Sequence, residues 1–159
     1  EPSELNTYYQ AFSTVRLNLD DRGCLMIEAP NIMDKPLITN DLVELHSNNY
    51  FKWLGRFDHL INSGGIKIIP EDVESKLQYL IPDRFIIVSK ADDQLGEKVV
   101  LMIEGHQEKY DTVALVEKIR KLPAMNKYEI PKKIYFVNKF IETNSNKIRR
   151  FETKKLLFD

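Results

Sequence analysis

The spacing of apolar residues in the first third of the chain predicts β-strands. Residues 15–19 alternate apolar and polar side chains, which is the period of a half-buried strand. Turn residues occupy 20–23, and residues 24–28 return as the second strand of a hairpin. Residues 37–45 and 50–54 could supply two more short strands. Because this stretch is short and ends in strand edges, we expect residues 1–55 to be the β-rich tail of a larger domain.

After Gly55 the pattern alternates between strands and helices. Glycine accepts positive φ, so Ser63-Gly64-Gly65 is predicted to be a hairpin turn between strands at 57–62 and 66–69. One helix is expected from Pro70 until Pro82 stops it, and another from an Asp111 N-cap through Leu122. Further strands are predicted at 84–90, 97–104 and 133–137, and a basic helix at 148–157.

These elements predict an α+β fold, in which short sheets are flanked by helices. Residues 56–159 form a compact domain of ordinary size, preceded by the β-rich fragment at 1–55. The chain starts at Glu1 rather than at methionine, which suggests a piece of a longer protein.

Composition excludes several classes of function. The formal net charge of −1 gives no global field that would recruit nucleic acid or an anionic membrane. The apolar run at 99–103 is too short to span a bilayer, and no signal segment opens the chain. Cys24 stands alone and the three histidines lack metal-site spacing. We therefore expect a reduced, cytoplasmic protein without a metal site, a membrane anchor or a nucleic-acid partner.

The first candidate site is Gly55-Arg56-Phe57-Asp58, together with the glycine turn at 63–65. The planar guanidinium of Arg56 suits phosphate or ribose oxygens, and glycines let a ligand approach the backbone. Alternatively, Arg56 and Asp58 are solvated charges and the glycines are only a turn. This segment alone leaves both interpretations open.

Two more segments contain polar residues that packing alone explains poorly. Lys147 follows the polar loop 143–146, where its ammonium could reach a phosphate or a carboxylate. A basic surface helix is the favoured alternative for this loop taken alone. Asp41 lies just past a predicted short strand and could accept hydrogen bonds from both hydroxyls of a ribose. An ordinary turn aspartate is the favoured alternative there.

In this order, the segments resemble the end of the adenylate-forming (AMP-forming) acyl-CoA synthetase superfamily. Thr39-Asn40-Asp41 resembles Thr-Gly-Asp, and residues 55–58 resemble Gly-Arg-x-Asp. Residues 61–74 resemble Ile-Lys-Ser-Gly-Gly-x-x-Ile-x-Pro-x-x-Val-Glu, and 122–131 resemble Leu-x-x-Tyr-x-x-Pro. The run that starts at Thr143 resembles Thr-x-Ser-Gly-Lys-Ile-x-Arg. Five matches in the correct order outweigh the alternatives above. The sequence of residues 61–74 most resembles that of bacterial o-succinylbenzoate–CoA ligases.

The resemblance implies roles for seven residues. Lys147 matches the adenylation lysine, Asp41 and Arg56 match residues that contact ATP or AMP, and Asp58 matches the hinge of a mobile C-terminal lid. The turn Ser63-Gly64-Gly65 matches a segment near the pantetheine of CoA.

The resemblance also implies the reaction and its substrates. A small carboxylate would be activated by ATP with Mg²⁺ and passed to CoA. ATP and Mg²⁺ would be held mainly by a large N-terminal domain, so the chain by itself should be inactive. Its exposed apolar surface favours self-association.

The sequence departs from the family pattern at three positions. Asn40 and Asn146 stand where the family has glycine, and Asn62 stands where many members have lysine. Asparagine tolerates left-handed backbone best among non-glycine residues, so both loops could keep their shape. Two other functions stay open: an adenylation domain that loads a carrier protein, and a non-catalytic binding module that reuses the lid fold.

Overall fold

The computed structural model describes residues 8–47 and 49–157. The chain divides into two compact units, Glu1–His59 and Leu60–Asp159. The predicted boundary between residues 55 and 56 lies inside the last strand of the first unit. Glu1 and Asp159, where the predicted domains begin and end, lie outside the described residues.

The described residues of the first unit form a five-stranded antiparallel sheet with the order β1-β5-β4-β3-β2. The predicted strands are present, and β1 is a strand that the pattern did not predict. The strands are β1 (Tyr8–Gln10), β2 (Arg16–Leu19), β3 (Cys24–Glu28), β4 (Leu37–Leu45) and β5 (Tyr50–Arg56).

In the described part of the second unit, a sheet built around one central strand is accompanied by three α-helices. β9 pairs antiparallel with β8 on one side, and on the other side it pairs with β10 in parallel and with β6 at Gly96. The α+β prediction is therefore confirmed. The elements are β6 (Ile61–Ser63), β7 (Ile66–Ile68), α1 (Pro70–Leu77), β8 (Phe85–Asp92), β9 (Gly96–Glu104), α2 (Thr112–Arg120), β10 (Ile134–Val137) and α3 (Arg150–Lys155).

Two hydrophobic clusters among the described residues stabilise this unit. They lie on opposite faces of the sheet, because successive side chains of a strand point to opposite faces. On one face Ile87 and Leu101 pack with Leu77 of α1 and Ile119 of α2. The other cluster contains Ile86, Val88, Val100, Met102 and Phe140, with Ile148, Leu156 and Leu157 packed against it.

Several element boundaries differ from the sequence prediction. Residues Phe57–His59 form a short 3₁₀ helix instead of starting a strand. α1 ends at Leu77, before Pro82, because the chain continues in a turn closed by Leu80 N–H and Leu77 C=O. α2 ends at Arg120, while its predicted cap is confirmed: the Ala114 N–H donates to Asp111 Oδ1 at 2.9 Å.

The terminal helix is shorter than the predicted 148–157. Ile148 forms an isolated antiparallel bridge with Glu142, so the residues before Arg150 belong to a hairpin. None of the helices in the described part of the chain is both long and apolar enough to cross a membrane.

Candidate functional site

Lys147 lies on a tight hairpin closed by Thr143. The Thr143 N–H donates to the Lys147 carbonyl at 2.8 Å, and the Asn146 N–H donates to the Thr143 carbonyl at 3.0 Å. Thr143 Oγ1 accepts from the Lys147 N–H at 3.1 Å. Asn146 has φ of +59°, so the expectation of left-handed backbone there is confirmed. The hydroxyl of Thr143 and the left-handed Asn146 therefore set the shape of the turn.

The Lys147 side chain is exposed at the surface of the second unit. Among residues 8–47 and 49–157, none accepts a hydrogen bond from its ammonium or pairs with it. The hairpin thus presents a positive charge to solvent, where an anionic ligand can reach it.

Both strands of the Lys147 hairpin are fixed at their base. The Arg149 N–H donates to the Ile141 carbonyl at 2.7 Å. Thr153 of α3 is fully buried, and its hydroxyl oxygen accepts from the Ile141 N–H at 3.1 Å. Arg84 pairs with Glu142 at 2.5 Å. A rigid base limits the positions that the hairpin can sample.

Three of the predicted nucleotide and hinge residues come together in the first unit. Asp41 and Arg56 are directly opposite each other on β4 and β5. Arg56 Nη1 lies 3.8 Å from Asp41 Oδ1, and its Nε and Nη2 donate to the two oxygens of Asp58 at 2.9 and 3.2 Å. Trp53 Nε1 donates to Asp41 Oδ1 at 3.2 Å. Carboxylate acceptors and guanidinium donors for a ribose are therefore adjacent.

Asp41 lies inside the nine-residue β4, so its predicted place just past a short strand is wrong. Its backbone N–H donates to Thr39 Oγ1 at 3.0 Å, and the same hydroxyl donates to the Leu25 carbonyl at 2.8 Å. Thr39 thereby ties this part of β4 to β3.

The pKa of Asp58 is held below its usual range by the hydrogen bond from Arg56, the largest cause, and burial opposes this only in part. Asp58 is therefore ionised at neutral pH. Both partners are more than one third exposed, so water screens their attraction.

Arg22 contacts residues next to this cluster, and the sequence did not predict it as a site residue. Its two terminal nitrogens donate to Asn40 Oδ1 and to the Thr39 carbonyl, each at 3.0 Å. Its guanidinium also lies 5.1 Å from the centre of the Phe57 ring. Asn40 is in extended strand backbone, so the tolerance of asparagine for left-handed backbone is not used there. The Asn40 side chain instead accepts a hydrogen bond that orders the segment before Asp41.

The glycine turn between β6 and β7 has the predicted geometry. Gly64 and Gly65 have φ of +60° and +83°, and Ser63 pairs with Ile66 across the turn. The Gly64 N–H donates to the Leu95 carbonyl at 2.8 Å, and Ser63 is buried. A Cβ on Gly65 would meet no atom within 4 Å. Gly65 is therefore the position of this turn where a ligand can approach the backbone.

Gly64→Ala is expected to destabilise the second unit by about 2 kcal/mol, because left-handed backbone costs an L-residue about 1–2 kcal/mol and the new Cβ would lie 3.2 Å from Leu95 Cδ2. Gly65→Ala is the matched control: Gly65 also has positive φ, but its new Cβ would meet no atom within 4 Å, so the substitution should cost less. Urea denaturation of both variants measures the difference, and a larger loss for Gly65→Ala would contradict the contact.

A partly buried ion pair fixes the 122–131 segment to α1. The Lys76 ammonium donates to both oxygens of Glu129 at 2.9 and 3.0 Å, and it pairs with Asp72 at 2.7 Å. The Asn126 N–H also donates to Glu129 Oε2, at 3.1 Å. Burial lowers the pKa of Lys76, but the hydrogen bonds to Asp72 and Glu129 outweigh burial and raise it overall.

A cavity of about 500 Å³ lies between α2 and β10 and is lined by Val113, Val116 and Phe136, among others. No predicted site residue lines it. Within the described ranges no three His, Cys, Asp or Glu side chains cluster as a metal site would require.

Comparison with curated proteins identifies AMP-forming ligases as relatives, although no protein-family model matches the chain. The chain is 33% identical over 120 residues to the mitochondrial acyl-coenzyme A synthetase ACSM5 of Homo sapiens, covering 71% of this chain and 20% of that protein. It is 32% identical over 124 residues to the vibriobactin-specific 2,3-dihydroxybenzoate-AMP ligase of Vibrio cholerae, covering 73% and 23%. It is 35% identical over 122 residues to the 2-succinylbenzoate–CoA ligase of Enterococcus faecalis, covering 74% and 24%. The chain thus spans less than a quarter of the length of each of these relatives.

Solved structures give the same result. An acyl-CoA synthetase (AMP-forming)/AMP-acid ligase II-like protein from Dyadobacter fermentans aligns with 94% of this chain and 43% of its own, at 35% identity and a TM-score of 0.58. The o-succinylbenzoate CoA synthetase of Bacillus subtilis, solved with its acyl-adenylate intermediate, aligns with 91% and 34% at a TM-score of 0.77; its 22% identity shows the fold alone. The relatives and neighbours are AMP-forming acyl-CoA and aryl ligases, which confirms the resemblance found in the motifs over part of their length.

Proposed function

We propose, from the similarity to AMP-forming acyl-CoA and aryl ligases, that this chain is the C-terminal region of an ATP-dependent carboxylate–CoA ligase. In this proposal residues 56–159 are the lid domain and residues 1–55 are the tail of the large N-terminal domain. The observation that supports the proposal is the exposed Lys147 side chain on a fixed hairpin, in the motif that resembles the family's adenylation-lysine motif.

The first half-reaction forms an acyl-adenylate. A carboxylate oxygen attacks the α-phosphorus of ATP, a new O–P bond forms, and pyrophosphate leaves. Lys147 contacts the carboxylate and phosphate oxygens, where a fixed cation stabilises the charge that develops in the transition state. Asp41 and Arg56 hold the ribose, for which their opposed positions on β4 and β5 are suited. Mg²⁺ accompanies ATP, but we assign no residue of this chain to hold it.

The second half-reaction transfers the acyl group to CoA. The CoA thiolate attacks the acyl carbon, the C–O bond to the phosphate breaks, and AMP leaves. Before this step the lid turns about Asp58, which withdraws Lys147 and brings the turn Ser63-Gly64-Gly65 to the pantetheine. A few φ/ψ changes suffice to rotate a rigid domain.

The finer assignment is o-succinylbenzoate–CoA ligase of menaquinone synthesis, located in the cytoplasm. The ligase assignment is supported by the sequence of residues 61–74 and by the 35% identity to the 2-succinylbenzoate–CoA ligase of Enterococcus faecalis. The similarity to the Vibrio cholerae 2,3-dihydroxybenzoate-AMP ligase supports a second candidate, an adenylating domain that loads a carrier protein. A non-catalytic lid-like module is the remaining alternative.

The proposed function is tested on the protein that carries this chain with its upstream region. Carboxylate-dependent exchange of pyrophosphate into ATP measures adenylation, and AMP release with CoA measures the complete reaction. A panel of aromatic and aliphatic acids, including o-succinylbenzoate and 2,3-dihydroxybenzoate, separates the candidate substrates. Activity without CoA but with a carrier protein supports the second candidate, and no carboxylate-dependent exchange with any acid contradicts the enzyme class. The chain alone should be inactive in both assays. It should also self-associate, which analytical sedimentation measures.

Asp58→Pro is expected to slow thioester formation at least tenfold while adenylation is kept, because proline fixes φ at the hinge and holds one lid orientation. Single-turnover assays of each half-reaction measure this. Asp58→Ala is the control, since it removes the carboxylate that Arg56 contacts but leaves φ free. The hinge assignment is wrong if both half-reactions of Asp58→Pro run at the unmodified rates.

A further inference from the structure

β8 is an edge strand of the sheet in the second unit. Its residue Ile87 pairs with Leu101 of β9. The Leu101 N–H donates to the Lys133 carbonyl on the opposite side of β9, at 3.0 Å. Ile87 and Leu101 are therefore a non-hydrogen-bonded pair of the antiparallel ladder. In such a pair the N–H and C=O groups of the two residues point away from each other. The backbone groups of Ile87 therefore face outward, where no strand of the described residues covers them.

Two side chains bind these outward groups. The Ile87 N–H donates to Glu74 Oε1 at 2.6 Å, and Arg150 Nη1 donates to the Ile87 carbonyl at 2.5 Å. Glu74 and Arg150 also pair with each other, through Nη1–Oε1 at 2.6 Å and Nη2–Oε2 at 3.1 Å. Together they occupy the place of a neighbouring strand, and they satisfy both backbone groups of Ile87.

The pair is largely shielded from water. The Arg150 side chain is 13% exposed and the Glu74 side chain is 20% exposed. A second carboxylate, Glu71, lies 3.4 Å from Arg150 Nη2. Charge-assisted bidentate contacts in such surroundings have a fixed geometry. The ion pair therefore holds α1, β8 and the start of α3 in one arrangement.

Arg150 is the first residue of α3 and follows Lys147 by three positions. The hairpin that presents Lys147 ends where this anchor begins. We propose that Glu74 and Arg150 are positioning residues that fix the Lys147 hairpin on the lid; the catalytic consequence rests on the proposed function. A misplacement of a reacting group by about 1 Å can cost about 10²-fold in rate, so a loosened anchor should reduce adenylation.

The first test is hydrogen exchange on the chain itself. Arg150→Met should accelerate exchange of the Asn146 and Lys147 amides, which are bonded to Thr143, at least tenfold. The Gly64 amide, bonded to Leu95 in the same unit, should keep its exchange rate within about twofold. Arg149→Met is the matched control, because it removes a guanidinium from the adjacent exposed position. It should leave the exchange rates of the Asn146, Lys147 and Gly64 amides unchanged. Equal acceleration at both hairpins, or none at Asn146 and Lys147, overturns the proposal.

If Arg150→Met does not fold, Glu74→Gln serves in its place. It keeps the shape of the side chain and can still accept from the Ile87 N–H, but it removes the negative charge that Arg150 contacts. Acceleration confined to Asn146 and Lys147 supports the anchor, and unchanged exchange there overturns it.

The second test is a double-mutant cycle in the longer protein. With Lys147 present, Arg150→Met should lower adenylation at least tenfold, whereas in the Lys147→Ala background the same change should lower it less than twofold. Thioester formation from supplied acyl-adenylate should stay within about threefold. Equal losses in both backgrounds mean that Arg150 does not act through Lys147. If the unmodified protein shows no adenylation, the proposed function fails, and the exchange experiment still decides the anchoring.

Discussion

Replacing Lys147 with alanine in the protein that carries this chain is expected to lower acyl-adenylate formation by about 10²–10³-fold, the usual effect of removing one group that stabilises developing charge. The ammonium is exposed on a fixed hairpin and no described residue competes for it as an acceptor. Conversion of supplied acyl-adenylate to thioester should change by less than about threefold, because the proposed lid rotation would by then have withdrawn the lysine. Pyrophosphate exchange and single-turnover thioesterification measure the two steps.

Lys139→Ala is the matched control for this experiment. Lys139 is an exposed lysine that precedes the same hairpin, and no predicted site includes it. It should leave both half-reactions within about twofold. Equal loss of both half-reactions in Lys147→Ala would refute the role of this residue, since a general defect in folding or substrate binding would affect both.

Local chemistry made several features predictable from the sequence. Two consecutive glycines between β-rich runs require a turn with positive φ, and the structure has that turn at Gly64 and Gly65. Asp111 precedes an apolar stripe of helical period and caps α2 as expected. Each of these predictions depends only on residues that are neighbours in the chain.

Long-range contacts account for what the sequence did not predict. Glu74 and Arg150 are separated by 76 positions, and nothing in either segment indicates the other as its partner. In the sequence, Arg22 is one charged residue of a polar turn. Its contacts with Thr39 and Asn40 form only when β3 and β4 have paired. The parallel pairing of β10 with β9 likewise depends on the connection through α2.

Asn40 and Asn146 show how context decides the conformation of a residue. Both stand where the resembled family has glycine, and asparagine tolerates left-handed backbone at either position. Asn146 has positive φ because the hairpin at Thr143 must close within a few residues. Asn40 is held in β4 by strand pairing, and its amide is used as an acceptor for Arg22. A substitution at Asn146 therefore changes backbone strain, whereas one at Asn40 changes a side-chain contact.

Lys76→Met is expected to lower the free energy of unfolding of the second unit by about 3 kcal/mol, because it leaves the buried carboxylate of Glu129 without its cation. Glu129 is 8% exposed and would keep only the contact from the Asn126 N–H. The native pKa of Lys76 is raised, so its pairing stabilises the fold below the ordinary lysine value of 10.5 and loses this effect as pH rises through the folded pKa. Urea denaturation at neutral pH should therefore show the full difference.

The control and the rescue for Lys76→Met come from the same unit. Lys118→Met changes an exposed lysine of α2 and should alter stability by no more than about 0.5 kcal/mol. The double variant Lys76→Met with Glu129→Met should recover most of the loss, since both charges are then absent from the interior. If Lys76→Met unfolds at the same urea concentration as the unmodified chain, Glu129 is solvated and the ion pair does not hold the 122–131 segment on α1. A double variant no more stable than Lys76→Met would show instead that packing of the lysine stem, rather than its charge, is what α1 loses.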